Sequence, residues 1–188
     1  MTSRLEMINK ITSLIIIIVF SPIYILLSVI IFFDDGLPIF FKQNRIGQNN
    51  KIFKLYKFRT MRTNVPDLAS HLLNNPDDYF IKNGHWLRKF SFDELPQIFN
   101  ILKGEMNFIG PRPALYNQND LIDCRNKLGI QKLKPGITGW AQVNGRDVLT
   151  IKQKVELEEF YLNKKSLIMD SKILVLTLKK VIFSDDIS

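Results

Sequence analysis

The chemistry in this sequence concentrates where carboxylates and cations recur together. Asp93 and Glu94 are adjacent in Ser91-Phe92-Asp93-Glu94-Leu95-Pro96-Gln97-Ile98-Phe99-Asn100. Lys57 and Arg59 lie in a basic stretch upstream, Arg88 precedes the pair by a few residues, and Arg112 follows it in Gly110-Pro111-Arg112-Pro113. An arginine held in extended backbone between prolines loses little entropy on binding, and its planar fork matches two phosphate oxygens. Leu133 to Arg146 then alternates turn glycines with Gln142, Asn144 and Arg146, side chains that can hydrogen-bond a base, ribose or phosphate. A phosphorylated ligand suits this set. Each residue also has a plainer account: Asp93 as a helix cap, Arg88 as a solvated charge, Arg112 as the exposed member of a rigid turn, and the glycine loop as a structural cover anchored by Trp140.

The pair needs an element to hold it. Leu95, Ile98, Phe99 and Leu102 fall at helical spacing and predict a helix, with Asp93, Gln97 and Asn100 on another face and Gly104 as its stop. Ser91 with Glu94 reads as a capping box, but that register places Pro96 one residue too deep. Capping at Asp93 puts Pro96 in the first turn and the Asp93 carboxylate beside free amides, where it stays ionised. Both registers remain open.

The whole chain has 188 residues, 46% of them hydrophobic, enough for one compact core. A lone cysteine, Cys124, excludes an internal disulfide and a cysteine zinc site, and His71 and His85 have no ligand spacing. The net charge of +8 fits nucleic acid and anionic lipid equally well. An apolar run from Leu14 to Phe33 without a charged residue tips the choice to the membrane, with no nucleic-acid partner. Near its middle stand Ser21 and Pro22. Pro22 cannot bond the Ile18 carbonyl, and the Ser21 hydroxyl can bond back one turn. Basic residues flank both ends, Arg4 and Lys10 before and Lys42, Arg45 and Lys51 after. A spanning helix and a re-entrant hairpin are both compatible with this pattern.

Further along, Pro38 to Lys42 and Lys51 to Arg59 predict two short strands joined by Gln48-Asn49-Asn50. A helix fragment is expected around Leu68 to Leu73. Thr150 with Gln153 forms a capping box for a helix through about Leu162, and Asp170 starts another through Phe183. The last helix is rich in apolar residues flanked by Lys172, Lys179 and Lys180, which suits the bilayer interface; packing on the core fits equally.

Together the segments resemble the bacterial sugar transferases, specifically the small monotopic phosphoglycosyl transferases that act on a polyprenol phosphate carrier. The resemblance is carried, in order, by the apolar run broken at Ser21-Pro22, Lys57-Phe58-Arg59-Thr60-Met61, Asp93-Glu94-Leu95-Pro96-Gln97, Gly110-Pro111-Arg112-Pro113, and Pro135-Gly136-Ile137-Thr138-Gly139 leading into Ala141 to Arg146. It implies an α+β fold: a mainly helical small domain with a short β-hairpin, a re-entrant membrane helix-break-helix over residues 1–36, and a catalytic domain with interfacial helices over 37–188. It implies residence at the bacterial inner membrane with the catalytic domain on the cytoplasmic face.

The reaction that the resemblance implies moves a sugar-1-phosphate from a UDP-sugar to polyprenol (undecaprenyl) phosphate, releasing UMP and starting glycan assembly. Asp93 is then the nucleophile that forms a phosphosugar-aspartate, Glu94 its partner, and Mg2+ lies between the carboxylates and the diphosphate. Lys57, Arg59, Arg88 and Arg112 are the available cations, Gln142, Asn144 and Arg146 fall near the nucleotide, and Asp170 is a further family-like candidate. Membrane lipid is a partner, and a homodimer is compatible with the chain. The competing functions are a glycosyltransferase that moves sugar alone, against which stands the lack of an Asp-x-Asp motif, and a non-catalytic basic scaffold at the membrane surface.

Overall fold

The structure is a computed structural model in which residues 2–63, 65, 76–145 and 148–183 are described. The helix fragment expected at Leu68 to Leu73, His71 and Arg146 lie outside them. Among the described residues the chain is mainly helical, with two small sheets.

The apolar run forms most of α1 (Thr2–Asp35), the one helix among the described residues long and apolar enough to cross a membrane. The helix continues through Ser21 and Pro22. The Ser21 hydroxyl donates to the Ile18 carbonyl at 2.8 Å, and that carbonyl is the acceptor Pro22 cannot use. At about 1.5 Å per residue, α1 is about 50 Å long, and its contacts with the rest of the chain run from Glu6 to Asp35. Ser13, Tyr24, Leu27 and Ile31 are buried on one stripe. Its first half packs Ile16 and Ile17 on Phe53, Leu55, Ile98 and Met106; its second half packs Tyr24, Leu27 and Ile31 on Phe58, Ile81 and Leu87. Both ends are also tied by polar contacts. Glu6 pairs with Lys134 at 3.3 Å and Asn9 donates to Asn107 at 3.0 Å. At the other end Asp34 accepts from the amides of Lys82 and Asn83, and Asp35 pairs with Arg59.

The expected hairpin is present as β1 (Phe40–Ile46) and β2 (Ile52–Phe58), antiparallel from Phe40↔Phe58 to Ile46↔Ile52, with its first strand starting later and running four residues further than the Pro38–Lys42 expected. Asn49 and Asn50, at φ 52° and 60°, make its turn. The alternation turns Gln43, Phe53 and Leu55 inward.

The helix after Asp93-Glu94 starts later than the sequence predicts. Phe92–Glu94 form a 3₁₀ turn, and α3 occupies Gln97–Leu102 with Pro96 as its N-cap. Ser91, at the N-cap of that 3₁₀ turn, makes no side-chain cap bond, and Pro96 rather than Asp93 stands at the N-cap of α3. The missing Pro96 amide divides the two turns: the Leu95 amide bonds Phe92, and the next donor, Ile98, bonds Leu95. Ser91 stands at φ 56°, a left-handed conformation uncommon for a residue with a Cβ. Gly104, at φ 80°, ends α3 as predicted. The polar face of α3 is buried rather than exposed. Asn100 accepts from the Tyr56 amide and donates to the Lys54 carbonyl and to Glu105, joining α3 to β2.

Elements the sequence reading did not foresee complete the body: α2 (Gly84–Lys89), α4 (Asn119–Lys127), α5 (Trp140–Val143), and a parallel pair of β3 (Asn107–Ile109) with β4 (Gly136–Thr138). The Thr150–Gln153 capping box opens α6 (Ile151–Lys164) as predicted. α7 (Leu167–Phe183) begins one turn before Asp170, because the Ser166 hydroxyl accepts from the Met169 amide. On α7, Met169 and Ile173 face the core with Val143 and Tyr161, while Leu167, Ile168 and Leu178 are exposed.

Candidate active site

Lys57, Asp93, Glu94 and Arg112 converge from three parts of the chain. Lys57 shares the parity of Phe53 and Leu55 on β2, so its side chain stands on the sheet face those residues bury, and its ammonium reaches the 3₁₀ turn. Its ammonium lies 3.2 Å from Asp93 Oδ2 and 2.9 Å from Glu94 Oε1, bridging the two carboxylates. Arg112 approaches from the segment after β3, with Nη1 and Nη2 each 3.3 Å from Glu94 Oε1. Side-chain exposure rises outward from 4% at Asp93 through 12% at Glu94 and 17% at Lys57 to 27% at Arg112. Arg112 is thus the most exposed member of the cluster and Asp93 the least. Two carboxylates and two cations balance, and an arriving anion tilts the site negative.

Glycine is required where the Arg112 segment crosses β4. A Cβ on Gly136 would stand 2.1 Å from the Gly110 amide nitrogen, and one on Gly139 would stand 2.1 Å from the Gly110 carbonyl oxygen. Such distances force the backbone apart.

The other sequence-predicted residues lie in different surroundings. Arg59, 3% exposed, donates to the Asp35 carboxylate at 2.5 Å and to the Asp35 and Gly36 carbonyls, at the C-terminal end of α1. Arg88 contacts Thr60 Oγ1 and Met61 Sδ and stacks over Phe80 at 4.8 Å. Gln142 donates to the Ile137 carbonyl and Asn144 to the Trp140 carbonyl, bonds that fasten α5 to its own loop. Asp170 accepts from the Tyr161 hydroxyl at 2.7 Å. Burial, reinforced by that bond, pushes Tyr161 well above the ordinary tyrosine range.

Several supporting residues were missed. Tyr24 donates at 2.6 Å to the Leu95 carbonyl, directly after the carboxylate pair. Arg45 and Arg125 donate to the main chain on either side of the bond between Arg112 and Pro113. Arg125 is held in turn by a bidentate pair with Glu158. Arg125 and Glu158, 33 residues apart on two helices, leave no local signal.

The chain belongs to the bacterial sugar transferase family, whose model matches residues 3–184. Among curated relatives, it is 46% identical over 153 residues to the uncharacterized sugar transferase EpsL of Bacillus subtilis, covering 81% of this chain and 74% of EpsL. It is 37% identical over 185 residues to the undecaprenyl-phosphate glucose phosphotransferase of Komagataeibacter xylinus, covering 92% of this chain and 34% of that protein. It is 34% identical over 168 residues to the UDP-N-acetylgalactosamine-undecaprenyl-phosphate N-acetylgalactosaminephosphotransferase of Aeromonas hydrophila, covering 87% of this chain and 40% of that protein. The chain thus spans most of EpsL but well under half of the other two.

Proposed function

We propose that this chain transfers a sugar-1-phosphate from a UDP-sugar to polyprenol phosphate through a phosphosugar bound covalently to Asp93. The observation that carries this reading is the cluster in which Lys57 and Arg112 converge on Asp93 and Glu94, in a family with relatives named for this transfer. An Asp93 carboxylate oxygen attacks the β-phosphorus of the UDP-sugar. A phosphorus–oxygen bond to Asp93 forms as the bond to the α-phosphate oxygen breaks, and UMP leaves with that electron pair. A phosphate oxygen of the polyprenol carrier then attacks the same phosphorus, breaks the acyl phosphate bond, and returns Asp93 as a free carboxylate.

The residues fit these demands. Arg112, at the exposed rim, receives the diphosphate, and Lys57 holds Asp93 Oδ2 and Glu94 Oε1 in a fixed relation. Asp93 and Glu94 are an oxygen donor pair of the kind that, with diphosphate oxygens and water, holds magnesium. Held by these carboxylates, magnesium would offset the repulsion between carboxylate and diphosphate.

For topology we favour a re-entrant or in-plane α1 over a spanning one. The helix is tied to one body at Glu6, Asn9, Tyr24, Asp34 and Asp35. A helix crossing a bilayer core of about 30 Å must leave that body at one end. The apolar outer face of α1 and the exposed Leu167, Ile168 and Leu178 of α7 then meet lipid at the cytoplasmic face.

The test is the nucleotide product. The full chain in detergent or nanodiscs, given polyprenol phosphate, magnesium and a panel of UDP-sugars, is expected to release UMP and to carry a labelled phosphosugar on the peptide containing Asp93. Asp93→Asn is expected to lose both. UDP as the sole nucleotide product, or a labelled adduct on Asp93→Asn, overturns the reading.

A further inference from the structure

The segment that presents Arg112 is held at every carbonyl from Pro111 to Ala114. Pro111 accepts from the Gly136 amide at 3.0 Å, and Ala114 accepts from the Ile46 amide at 2.9 Å. Between these two backbone bonds the donors are guanidinium groups. Arg125 Nη2 donates to the Arg112 carbonyl at 3.0 Å, and Arg45 Nη1 donates to the Pro113 carbonyl at 3.1 Å.

Each guanidinium is itself oriented. Arg125 Nε and Nη2 bond Glu158 Oε2 and Oε1 at 2.7 and 2.6 Å, joining α4 to α6, with Arg125 8% and Glu158 2% exposed. Arg45 Nη2 donates to Gln43 Oε1 at 2.6 Å, from the same face of β1. A buried ion pair contributes little net stability compared with apolar side chains of like volume, so stability is a poor account of Arg125 and Glu158. Geometry is a better one: the bidentate pair leaves Arg125 Nη2 aimed at one carbonyl, which a lysine ammonium cannot reproduce. With φ fixed at Pro111 and Pro113 and both central carbonyls hydrogen-bonded, the backbone beneath Arg112 is restrained from both sides.

We infer that Arg45, Arg125 and Glu158 are positioning residues that clamp the Arg112 backbone and so set where its side chain meets the diphosphate. This rests on the reading of Arg112 as the diphosphate-binding cation. A displacement of about 1 Å in a positioning group costs up to about a hundredfold in rate, so the clamp has room to act without touching substrate.

A double-mutant cycle tests it. The full chain carries Arg125→Met with Glu158→Met, or Arg125→Lys, or Arg45→Met, each alone and with Arg112→Ala. Steady-state kcat and KM are measured with whichever of UDP-glucose, UDP-galactose and UDP-N-acetylgalactosamine turns over, and Tm is measured alongside. Where Arg112→Ala leaves too little turnover, the Kd of the same UDP-sugar for Asp93→Asn protein completes the cycle. The clamp predicts a loss of about tenfold or more in kcat/KM, or in affinity, for each clamp variant with Arg112 present. With Arg112→Ala the same variants lose less than about twofold. Equal losses in both backgrounds, or no loss with Arg112 present, overturn the clamp. If the paired Met variant fails to fold, Arg125→Lys and Arg45→Met decide the matter alone. A fully active Arg112→Ala protein instead removes the reading of Arg112 on which the clamp rests, an outcome distinct from additivity.

Discussion

The hydroxyl of Tyr24, in the middle of α1, donates at 2.6 Å to the carbonyl of Leu95, the residue after the Asp93-Glu94 pair. The apolar helix α1 is therefore part of the support for the candidate nucleophile. Phe58 and Phe99 flank the Tyr24 ring, each with its centroid at 5.7 Å, so the ring is held while the hydroxyl fixes the turn. Tyr24→Phe keeps that packing and leaves a main-chain acceptor without its donor. The expected cost is about 1 kcal/mol, read by denaturant titration in detergent. An unchanged midpoint means water replaces the hydroxyl at no cost.

Lys57 separates two carboxylates that are otherwise adjacent and shielded from solvent. Lys57→Met is expected to destabilise the chain by about 3 kcal/mol, since it leaves the buried Asp93 carboxylate without its cation while Glu94 keeps Arg112. Adding Asp93→Asn to Lys57→Met removes that stranded charge and should return much of the loss. Strictly additive effects, measured by the same denaturation cycle, are evidence against direct coupling of the two side chains.

Arg112→Lys conserves charge and removes the fork. Because both terminal nitrogens of Arg112 meet Glu94 Oε1 at 3.3 Å, a single ammonium cannot span the same carboxylate and a diphosphate. Turnover is expected to fall about tenfold or more, equivalent to about 1.4 kcal/mol in the barrier. UMP release near the parent rate refutes a bidentate role.

How much of this was legible beforehand follows from the range of each signal. The hairpin was readable because its alternation and its Asn-Asn turn are local. Asp93, Glu94 and Arg112 stood out because each lies in a short segment of unusual composition. The helix start was misplaced because capping rules favour an acidic side chain, whereas the break comes from the absent amide of Pro96. β3 and β4 have three residues each, too short for any period to register. Arg59 was grouped with Lys57 by sequence proximity, yet lies beyond the end of β2 and serves the end of α1.

Gly136→Ala tests the close crossing that supports the Arg112 segment. The added Cβ would fall 2.1 Å from the Gly110 nitrogen and 2.6 Å from the Ile109 carbonyl carbon, and both neighbours are backbone. Overpacking of this kind costs about 1–3 kcal/mol or more, and here it also separates β3 from β4. The variant is expected to lose both thermal stability and turnover. Gly129→Ala meets no atom within 4 Å but sits at φ 75°, so its smaller cost, measured by Tm, reports backbone conformation alone.

Tyr161 gives the fold an alkaline limit. Its hydroxyl is buried against Asp170, and burial first, then the bond to that carboxylate, raises its pKa above the ordinary value. An unfolded tyrosine ionises near about pH 10. Below that pH both states keep the proton and the contribution to stability is fully present. As pH rises past about 10 towards the folded value, the unfolded state alone gives up the proton, so unfolding becomes progressively easier. Tyr161→Phe removes this dependence together with the Asp170 bond. The variant is expected to be less stable than the parent near pH 8 and to lose less stability between about pH 9 and 11. Denaturant titrations across that range, with phenolate absorbance as the ionisation readout, measure both slopes; equal slopes show that Tyr161 ionises as freely in the folded chain as in the unfolded one.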